Sequence, residues 1–370
     1  MRRKNEFPMK PMKQYKTVTC LSIWPVLGLL LCISCSGDKN TEYQERYGLF
    51  KSMAAALKQP EKVKKLELRE LSGNDALKGI GQFTNLEELK IFVSQNLTEL
   101  PEEIGRLGRL QRLIVGVSGL RKLPVSIGKL ASLQVLNINS SPIQALPVEI
   151  GSLTGLKELY LGSCQLKEVP AALFNLSGLE KMSLDHDPLN TIADDIEKMS
   201  GLRELHLRSI GMVEVNPKIG SLSSLTVLDL IGNRLTRLPD ELFALANLRK
   251  LMLDHNRFVD LPPSMAKLEN LQVLQLGNNH FVDIPPVVCS LPKLIELDVV
   301  NNKITSLPKE IVHMRNLQEL NLGYNRLITL PSNIGSIASL RKLTLYGNNF
   351  SEEVKKRIEK ALPWVELRWR

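Results

Sequence analysis

The strongest constraint on this chain is a repeat of fixed length. Apolar pairs in an L-x-L pattern begin at thirteen positions from Leu66 to Leu343, and successive pairs start 23 residues apart. One step, from Leu89 to Leu113, is 24 residues long. A unit this short cannot bury its apolar side chains alone, whereas stacked copies share one continuous core. The sequence therefore predicts a solenoid of about thirteen turns, called rungs below.

A second apolar signal keeps the same period between these pairs. Nine of eleven copies carry an apolar residue followed by proline, as in Leu238-Pro239 and Leu261-Pro262. Within each L-x-L pair the two apolar side chains point inward and the intervening one outward, as in a β-strand. Proline fixes φ and lacks an N–H donor, which suits the return on the opposite side. The pattern predicts a parallel sheet on one face and irregular, 3-10 or short helical segments on the other.

Residues 235–258, LTRLPDELFALANLRKLMLDHNRF, resemble one turn of a leucine-rich repeat of the 23-residue bacterial type. The resemblance covers residues 63–350 and implies an α/β leucine-rich-repeat solenoid, curved, with its parallel β-sheet on the concave face. A composition of 43% hydrophobic but only 5% aromatic residues agrees with a core built from aliphatic side chains. Proteins of this group bind macromolecules on the concave face, and the resemblance implies the same here.

The turn that follows each strand differs between the two halves of the repeat region. Six C-terminal rungs place an asparagine there: Asn233, Asn256, Asn279, Asn302, Asn325 and Asn348. An inward amide both donates and accepts hydrogen bonds, and can therefore satisfy backbone groups of the turn. The earlier rungs have Ser118, Ser141, Cys164, Asp187 and Ile210 at this position. We expect the half that ends near Ile210 to unfold first.

Both ends of the repeats are followed by segments that predict caps. Apolar residues recur at helical spacing before Pro60, which predicts a helical N-cap over residues 42–62: Tyr43, Tyr47, Phe50, Ala54 and Leu57. Residues 351–370 predict a C-terminal cap with Ser351 as the N-cap of a helix, Pro363 as its stop, and a last strand after it.

The first residues predict export. Residues 1–34 hold six basic side chains and one acidic one, hence +5 of the net +9, and their apolar run is too short to span a bilayer. Leu31-Cys32-Ile33-Ser34-Cys35 resembles the lipobox of bacterial lipoprotein precursors. This implies lipidation at Cys35, a tether over residues 35–41, and a membrane-anchored location, with the outer membrane or cell surface favoured over the inner membrane. Cys32 replaces the usual leucine, which leaves cleavage without lipidation open.

Contacts with a partner are expected from outward positions of the sheet. They combine aromatic anchors with hydrogen-bonding groups, as binding surfaces do. The predicted contact residues are Tyr160, His206, Asp229, Met252, Asp254, His255, Gln275, Asp298, Asn321, Tyr324 and Tyr346. The alternative interpretation is an ordinary solvated surface.

Catalytic signatures are missing from the sequence. LDHD at 184–187 and LDHN at 253–256 lie three rungs apart, roughly 14 Å at sheet spacing, too far for one zinc ion. We therefore predict no enzyme, no metal and no cofactor. Outside residues 1–34 the charge is only +4 and dispersed, which disfavours nucleic acid. The predicted partner is a macromolecule, with a protein favoured and a glycan left open. Two rival functions remain: an intracellular scaffold, if the export signal is unused, and a hydrolase using His206 and Asp229.

Overall fold

The computed structural model describes residues 47–370, and these contain one parallel sheet, open and curved, of fifteen strands in sequence order. In the described residues the strands β1 to β15 are Leu49–Phe50, Lys65–Arg69, Glu88–Ser94, Arg112–Ser118, Val135–Asn137, Glu158–Tyr160, Lys181–Ser183, Glu204–His206, Val227–Asp229, Lys250–Met252, Val273–Gln275, Glu296–Asp298, Glu319–Asn321, Lys342–Thr344 and Glu366–Arg368. Strands β2 to β14 carry the thirteen predicted L-x-L pairs. The leucine-rich-repeat solenoid is confirmed.

The register of the sheet follows the repeat. Leu251 of β10 pairs with Leu228 on one side and Leu274 on the other. All three side chains are buried in a core cluster that runs from β1 to β15. In such a stack each rung contacts only its two neighbours. The two ends of the core therefore need separate covers.

The return side of each rung is short and helical. A proline or equivalent residue in extended conformation precedes most of these turns, as at Pro239 (φ −71°, ψ 148°). The 3-10 helices are Pro60–Lys62, Asn74–Leu77, Ile80–Gln82, Glu102–Arg106, Val125–Lys129, Val148–Ser152, Ala171–Asn175, Asp194–Lys198, Pro217–Ser221, Asp240–Ala244, Pro263–Lys267, Pro286–Ser290, Lys309–His313 and Ile334–Ser336. The predicted convex face is confirmed.

The asparagines form the expected ladder. Asn256 Nδ2 donates to the carbonyls of Leu230 (2.9 Å) and Leu253 (3.0 Å), while its Oδ1 accepts from the Leu235 N–H (3.0 Å). Asn279 repeats the same set of bonds one rung later. Each amide therefore joins the turn of its own rung to the turn of the rung before it.

The N-terminal cap differs from its prediction. Leu49–Phe50 form β1, which pairs with β2 through Leu49↔Lys65 and Phe50↔Leu66, and helix α1 is limited to Met53–Ala56. The Ser52 hydroxyl caps α1 by accepting from the Ala55 N–H at 3.2 Å. The first edge of a parallel sheet presents unpaired backbone groups, and a strand satisfies them where a helix cannot.

The C-terminal cap is built as its sequence predicts. Helix α2, Glu352–Ala361, starts after Ser351, whose side chain accepts from the Val354 N–H at 3.3 Å. Ile358 and Leu362 are buried against the last rung, and β15 pairs with β14. The open end of the core is thereby covered.

Residues 45–370 form one compact unit. The predicted signal at 1–34, Cys35 and the tether at 35–41 lie outside the described residues, and the division of the chain into these segments stays a prediction. Within residues 47–370, every helix is too short or too polar to cross a bilayer.

Candidate functional site

The outward positions of the strands form three parallel rows on the sheet. The central row holds the middle outward residue of each strand, and in its C-terminal part the neighbours are Tyr160, Ser183, His206, Asp229, Met252, Gln275, Asp298, Asn321 and Thr344. A second row lies two residues further along each rung and includes Asp185, Arg208, Asp254 and Tyr346. A third row follows one residue later, where His255, Asn278, Asn301 and Tyr324 have φ between 51° and 55°. All eleven predicted contact residues fall in these rows.

His206 and Asp229 are direct neighbours, as their register predicts. His206 Nδ1 lies 3.4 Å from Asp229 Oδ2, and the Arg208 guanidinium also donates to that oxygen. Burial lowers the pKa of His206, but the hydrogen bond and charge of Asp229 outweigh it and the pKa is raised. The three side chains form an internal ion network in which Asp229 is fully covered.

Arg208 is a member of this network that the sequence predictions left out of the contact set. Its backbone N–H donates to Asp185 Oδ1 at 2.7 Å, and the Ser183 hydroxyl donates to Asp185 Oδ2 at 3.0 Å. The signal for it was available, because residues i and i+2 of an extended segment share one face. Arg208 follows His206 at that spacing.

Two further carboxylates occupy the same face. Asp254 Oδ1 accepts from the Gly277 N–H at 2.9 Å, whereas Oδ2 is buried without a hydrogen-bond partner among the described residues. Burial, followed by the charge of Asp298, raises the pKa of Asp254 to about 7. Burial also raises the pKa of Asp298, although Val300 and Asn321 both donate to that carboxylate. Asp254 thus has one unpaired carboxylate oxygen buried beneath the outward face of the sheet.

A polar groove of about 170 Å³ lies at the C-terminal part of the sheet, lined by Glu296, Asp298, Glu319, Asn321, Lys342, Thr344, Tyr346 and Arg368. The rings of Tyr324 and Tyr346 meet edge to face beside it, with centroids 5.0 Å apart. Gly323 leaves room for this pair, since a Cβ there would lie 2.8 Å from the Tyr346 ring. Tyr324 is 58% exposed.

The remaining predicted contacts are spread over the sheet. Tyr160 is half-buried and its hydroxyl donates to Glu158 at 3.0 Å. Burial, and then the charge of Glu158, raise the pKa of Tyr160 above its usual range. Gln275 and Asn321 are half-buried, and His255 is exposed.

Two predicted contact residues are not accessible. Met252 is 3% exposed and Asp229 is 0% exposed, although both lie at outward positions. Because strands lie about 4.8 Å apart, a side chain on one strand can cover its neighbour on the next. Asp229 is covered in this way by His206 and Arg208. The expectation that these two residues touch a partner is therefore corrected.

The positions of the ligand and thiol side chains in residues 47–370 bear on metal binding and on cysteine chemistry. No three His, Cys, Asp or Glu side chains within residues 47–370 are placed to hold a metal ion. Cys164 and Cys289 are both free and buried. Burial, followed by a nearby carboxylate, raises the pKa of each thiol to about 12, which keeps both in the unreactive protonated form.

A family model described as "Leucine-rich repeat region" matches residues 51–187, 115–215, 188–277 and 240–364. The chain belongs to the leucine-rich repeat family. This fold is typical of protein-binding scaffolds and receptors. A search of curated proteins gave no match.

Solved structures of the family resemble this chain along most of its length. A leucine-rich-repeat protein of Leptospira interrogans is 32% identical, covers 87% of this chain and 99% of its own, and has a TM-score of 0.65. An internalin of Listeria monocytogenes is 23% identical, with coverage of 84% and 88% and a TM-score of 0.70. A plant peptide hormone receptor in complex with RGF2 is 24% identical, with coverage of 81% of this chain and 58% of its own and a TM-score of 0.53. The internalin and the plant receptor share the fold of this chain.

Proposed function

We propose that this leucine-rich-repeat protein is a non-catalytic binding module that holds a protein partner on its concave sheet and is anchored to a bacterial membrane through a lipid on Cys35. The observation that carries the first part is the groove beside Tyr324 and Tyr346. It combines an exposed aromatic ring with carboxylates, an amide and cations in one open surface, the mixture that protein interfaces use.

The geometry of His206 supports binding rather than hydrolysis. Asp229 is already engaged by Arg208 as well as by His206, so that it is a fixed member of an ion network. A general base needs a free lone pair within hydrogen-bond reach of the proton that it abstracts. The His206 and Asp229 pair serves to hold the sheet surface in shape.

A protein partner is supported by solved structures that share this fold. The plant receptor is described in complex with a hormone ligand, and a Drosophila relative, 23% identical with a TM-score of 0.58, is described as a Toll–Spätzle complex. A glycan partner would show instead as release by glycosidase treatment.

The concave surface is tested by site-specific photo-crosslinking in the native cells. A photoreactive residue replaces Gln275 on the sheet, and a matched control replaces Glu241, which is exposed on a convex 3-10 helix. We expect a discrete adduct from position 275 alone, lost when Tyr324→Ala and Tyr346→Ala are combined in a chain of unchanged circular dichroism. Equal adducts from both positions would contradict the proposal.

The anchor is tested separately by metabolic labelling with a palmitate analogue. We expect label in the membrane fraction for the unaltered chain and none for Cys35→Ala. An unlabelled chain in the cytoplasm would favour the intracellular scaffold, and an unlabelled chain outside the cell would favour secretion without lipid.

A further inference from the structure

Exposed aliphatic side chains are not scattered over the C-terminal rungs. Between residues 200 and 350 the large apolar residues that are exposed are Val213, Val259, Val282, Tyr324 and Ile328. All except Tyr324 occur at one register of the 23-residue repeat, three residues after the ladder asparagine in the rungs that have one. Thr236 and Thr305 complete the column and are also exposed. Six rungs thus present a β-branched side chain to solvent at the same place.

A column of basic residues, four of them Arg or Lys and one His, runs beside the aliphatic one. It is formed by the residue that directly follows five of the six ladder asparagines: Arg234, Arg257, His280, Lys303 and Arg326, all exposed. Within residues 47–370 none of these five side chains has an ion pair or a hydrogen bond to another residue, whereas Arg237 nearby is paired with Glu214 at 2.8 Å. Neighbouring members of the column are one rung apart, and like charges so placed repel one another.

Backbone hydrogen bonds fix the geometry of both columns. The N–H of Arg257 donates to the Leu235 carbonyl (2.8 Å), and Lys303 donates to Phe281 (2.8 Å) in the same way. This second ladder holds adjacent rungs at parallel-strand spacing, about 4.8 Å. Phe258 and Phe281 point inward between the two columns and are buried. Cations and aliphatic side chains therefore project together from one flank, outside the concave face.

We propose that this flank strip, the two columns from Val213 to Ile328, lies against an anionic lipid surface. Cations match the phosphate groups of such a surface, and each adds about fivefold to the binding constant. Aliphatic side chains beside the cations enter the boundary between head groups and acyl chains, as in interfacial helices. The concave sheet stays free for its partner, because the strip occupies a different face of every rung.

The form of the strip favours lipid over a protein segment. Protein contacts depend on aromatic anchors seated in pockets, and the eleven side chains of the strip include no aromatic one. Val259 is 65% exposed and Ile328 62%, so that they stand out from the surface instead of lining a groove. A fluid surface needs no matching shape, and its anions move to meet each cation.

Three acidic residues, Glu214, Asp260 and Asp283, lie beyond the aliphatic column. Asp260 Oδ1 accepts from the Leu261 N–H at 2.8 Å, and Asp283 Oδ1 accepts from the Ser306 hydroxyl at 3.0 Å. These carboxylates reduce the net charge around the strip. Within residues 47–370 they form no ion pair with the basic column, which lies on the other edge of the strip. Binding should therefore depend on salt and on the identity of the cations rather than on total charge.

The test uses the chain from Ser36 onward, which contains the compact unit of residues 45–370 and lacks Cys35. Flotation with phosphatidylcholine vesicles, with or without phosphatidylglycerol, measures binding in low salt. We expect binding to the anionic vesicles alone, and at least a tenfold loss when Arg257→Glu and Arg326→Glu are combined. The matched control combines Lys267→Glu with Lys309→Glu, two exposed lysines on convex 3-10 helices of the same region, and should change binding less than twofold.

A second arm replaces Val259 and Val282 with serine. We expect weaker binding that is no longer retained when salt is raised, because the cations alone are screened within about 8 Å at physiological ionic strength. Equal flotation with both kinds of vesicle would overturn the proposal. So would an equal loss in the lysine control, or no binding to anionic vesicles in low salt. Photo-crosslinking on the concave sheet is unaffected by any of these results.

Discussion

The rungs before Ile210 and the rungs after it share one backbone and differ in how their turns are closed. In the C-terminal half each turn is held by an amide with three bonds, as at Asn256. In the N-terminal half the same place has a hydroxyl pair, Ser118 and Ser141, whose oxygens lie 2.8 Å apart, and then Ile210 with no polar group. The inward leucines are buried in both halves, so that the leucine core determines the fold. The residue in the turn determines how many hydrogen bonds hold each rung to the one before it.

The largest expected effect comes from the core itself. Leu274→Ala should lower the free energy of unfolding of the C-terminal half by about 2 to 5 kcal/mol, because the fully buried leucine leaves a cavity between two rungs. Chemical denaturation followed by circular dichroism measures this loss. Leu136→Ala, at the same register in the other half, is the matched control and should leave the C-terminal transition in place. A C-terminal transition that shifts equally in both variants would mean that the solenoid unfolds as one unit.

The ladder is tested by removing one amide. Asn279→Ala should cost about 1 to 3 kcal/mol, because the carbonyls of Leu253 and Leu276 and the Phe258 N–H lose their partner inside the core. Ser141→Ala is the comparison, and it should cost less because only one hydrogen bond is lost. Similar losses in thermal unfolding for the two variants would remove the distinction between the halves.

Native-state hydrogen exchange measures the two halves in one molecule. We expect the amides of the strands from β3 to β8 to exchange at least about tenfold faster than those from β9 to β14, since rungs open locally before the whole core does. Equal protection in both halves would contradict the comparison on which these predictions rest.

The smallest expected effect is a gain of stability. Asp187 accepts from the N–H groups of Cys164 (2.8 Å) and Leu166 (3.1 Å) through Oδ1, while Oδ2 is buried without a hydrogen-bond partner in the described chain. Asp187→Asn would place an N–H₂ group where Oδ2 now lies, as in the ladder asparagines. We expect a gain of about 1 to 2 kcal/mol at neutral pH, measured by chemical denaturation.

The gain should depend on pH in one direction. Burial raises the pKa of Asp187 from 3.8 to about 6. A folded-state pKa above the unfolded value means that the contribution of this group is greatest below about pH 4 and is lost as pH rises to about 6. The advantage of Asp187→Asn should therefore appear across that interval and stay level above it. Asn256→Asp, its mirror image in the ladder, should show the opposite sign.

The features that recur in every 23-residue repeat could be predicted from the sequence. Register, the inward leucines, the asparagine ladder and α2 all depend on patterns that recur or on a local cap such as Ser351. The N-terminal cap failed because Tyr47, Phe50, Ala54 and Leu57 have helical spacing, yet the edge of β2 required a strand there.

The candidate site was only partly predictable for a related reason. The period places Tyr324 and Met252 both outward, but exposure depends on which neighbours are long enough to cover a residue. Arg208 reaches over Asp229, while Gly347 leaves Tyr324 open. Such relations join side chains 21 to 23 residues apart, and no single repeat contains them.

The direction of the amide bonds bears on how the chain is made. Asn256 reaches back to Leu230 and to the Leu235 N–H, both in the preceding rung. A ribosome delivers the rungs in order, so the newest turn stays open until the next 23 residues have emerged. Growth therefore always leaves one unfinished rung at the front, and the cap formed by α2 and β15, which follows the last rung, ends that condition.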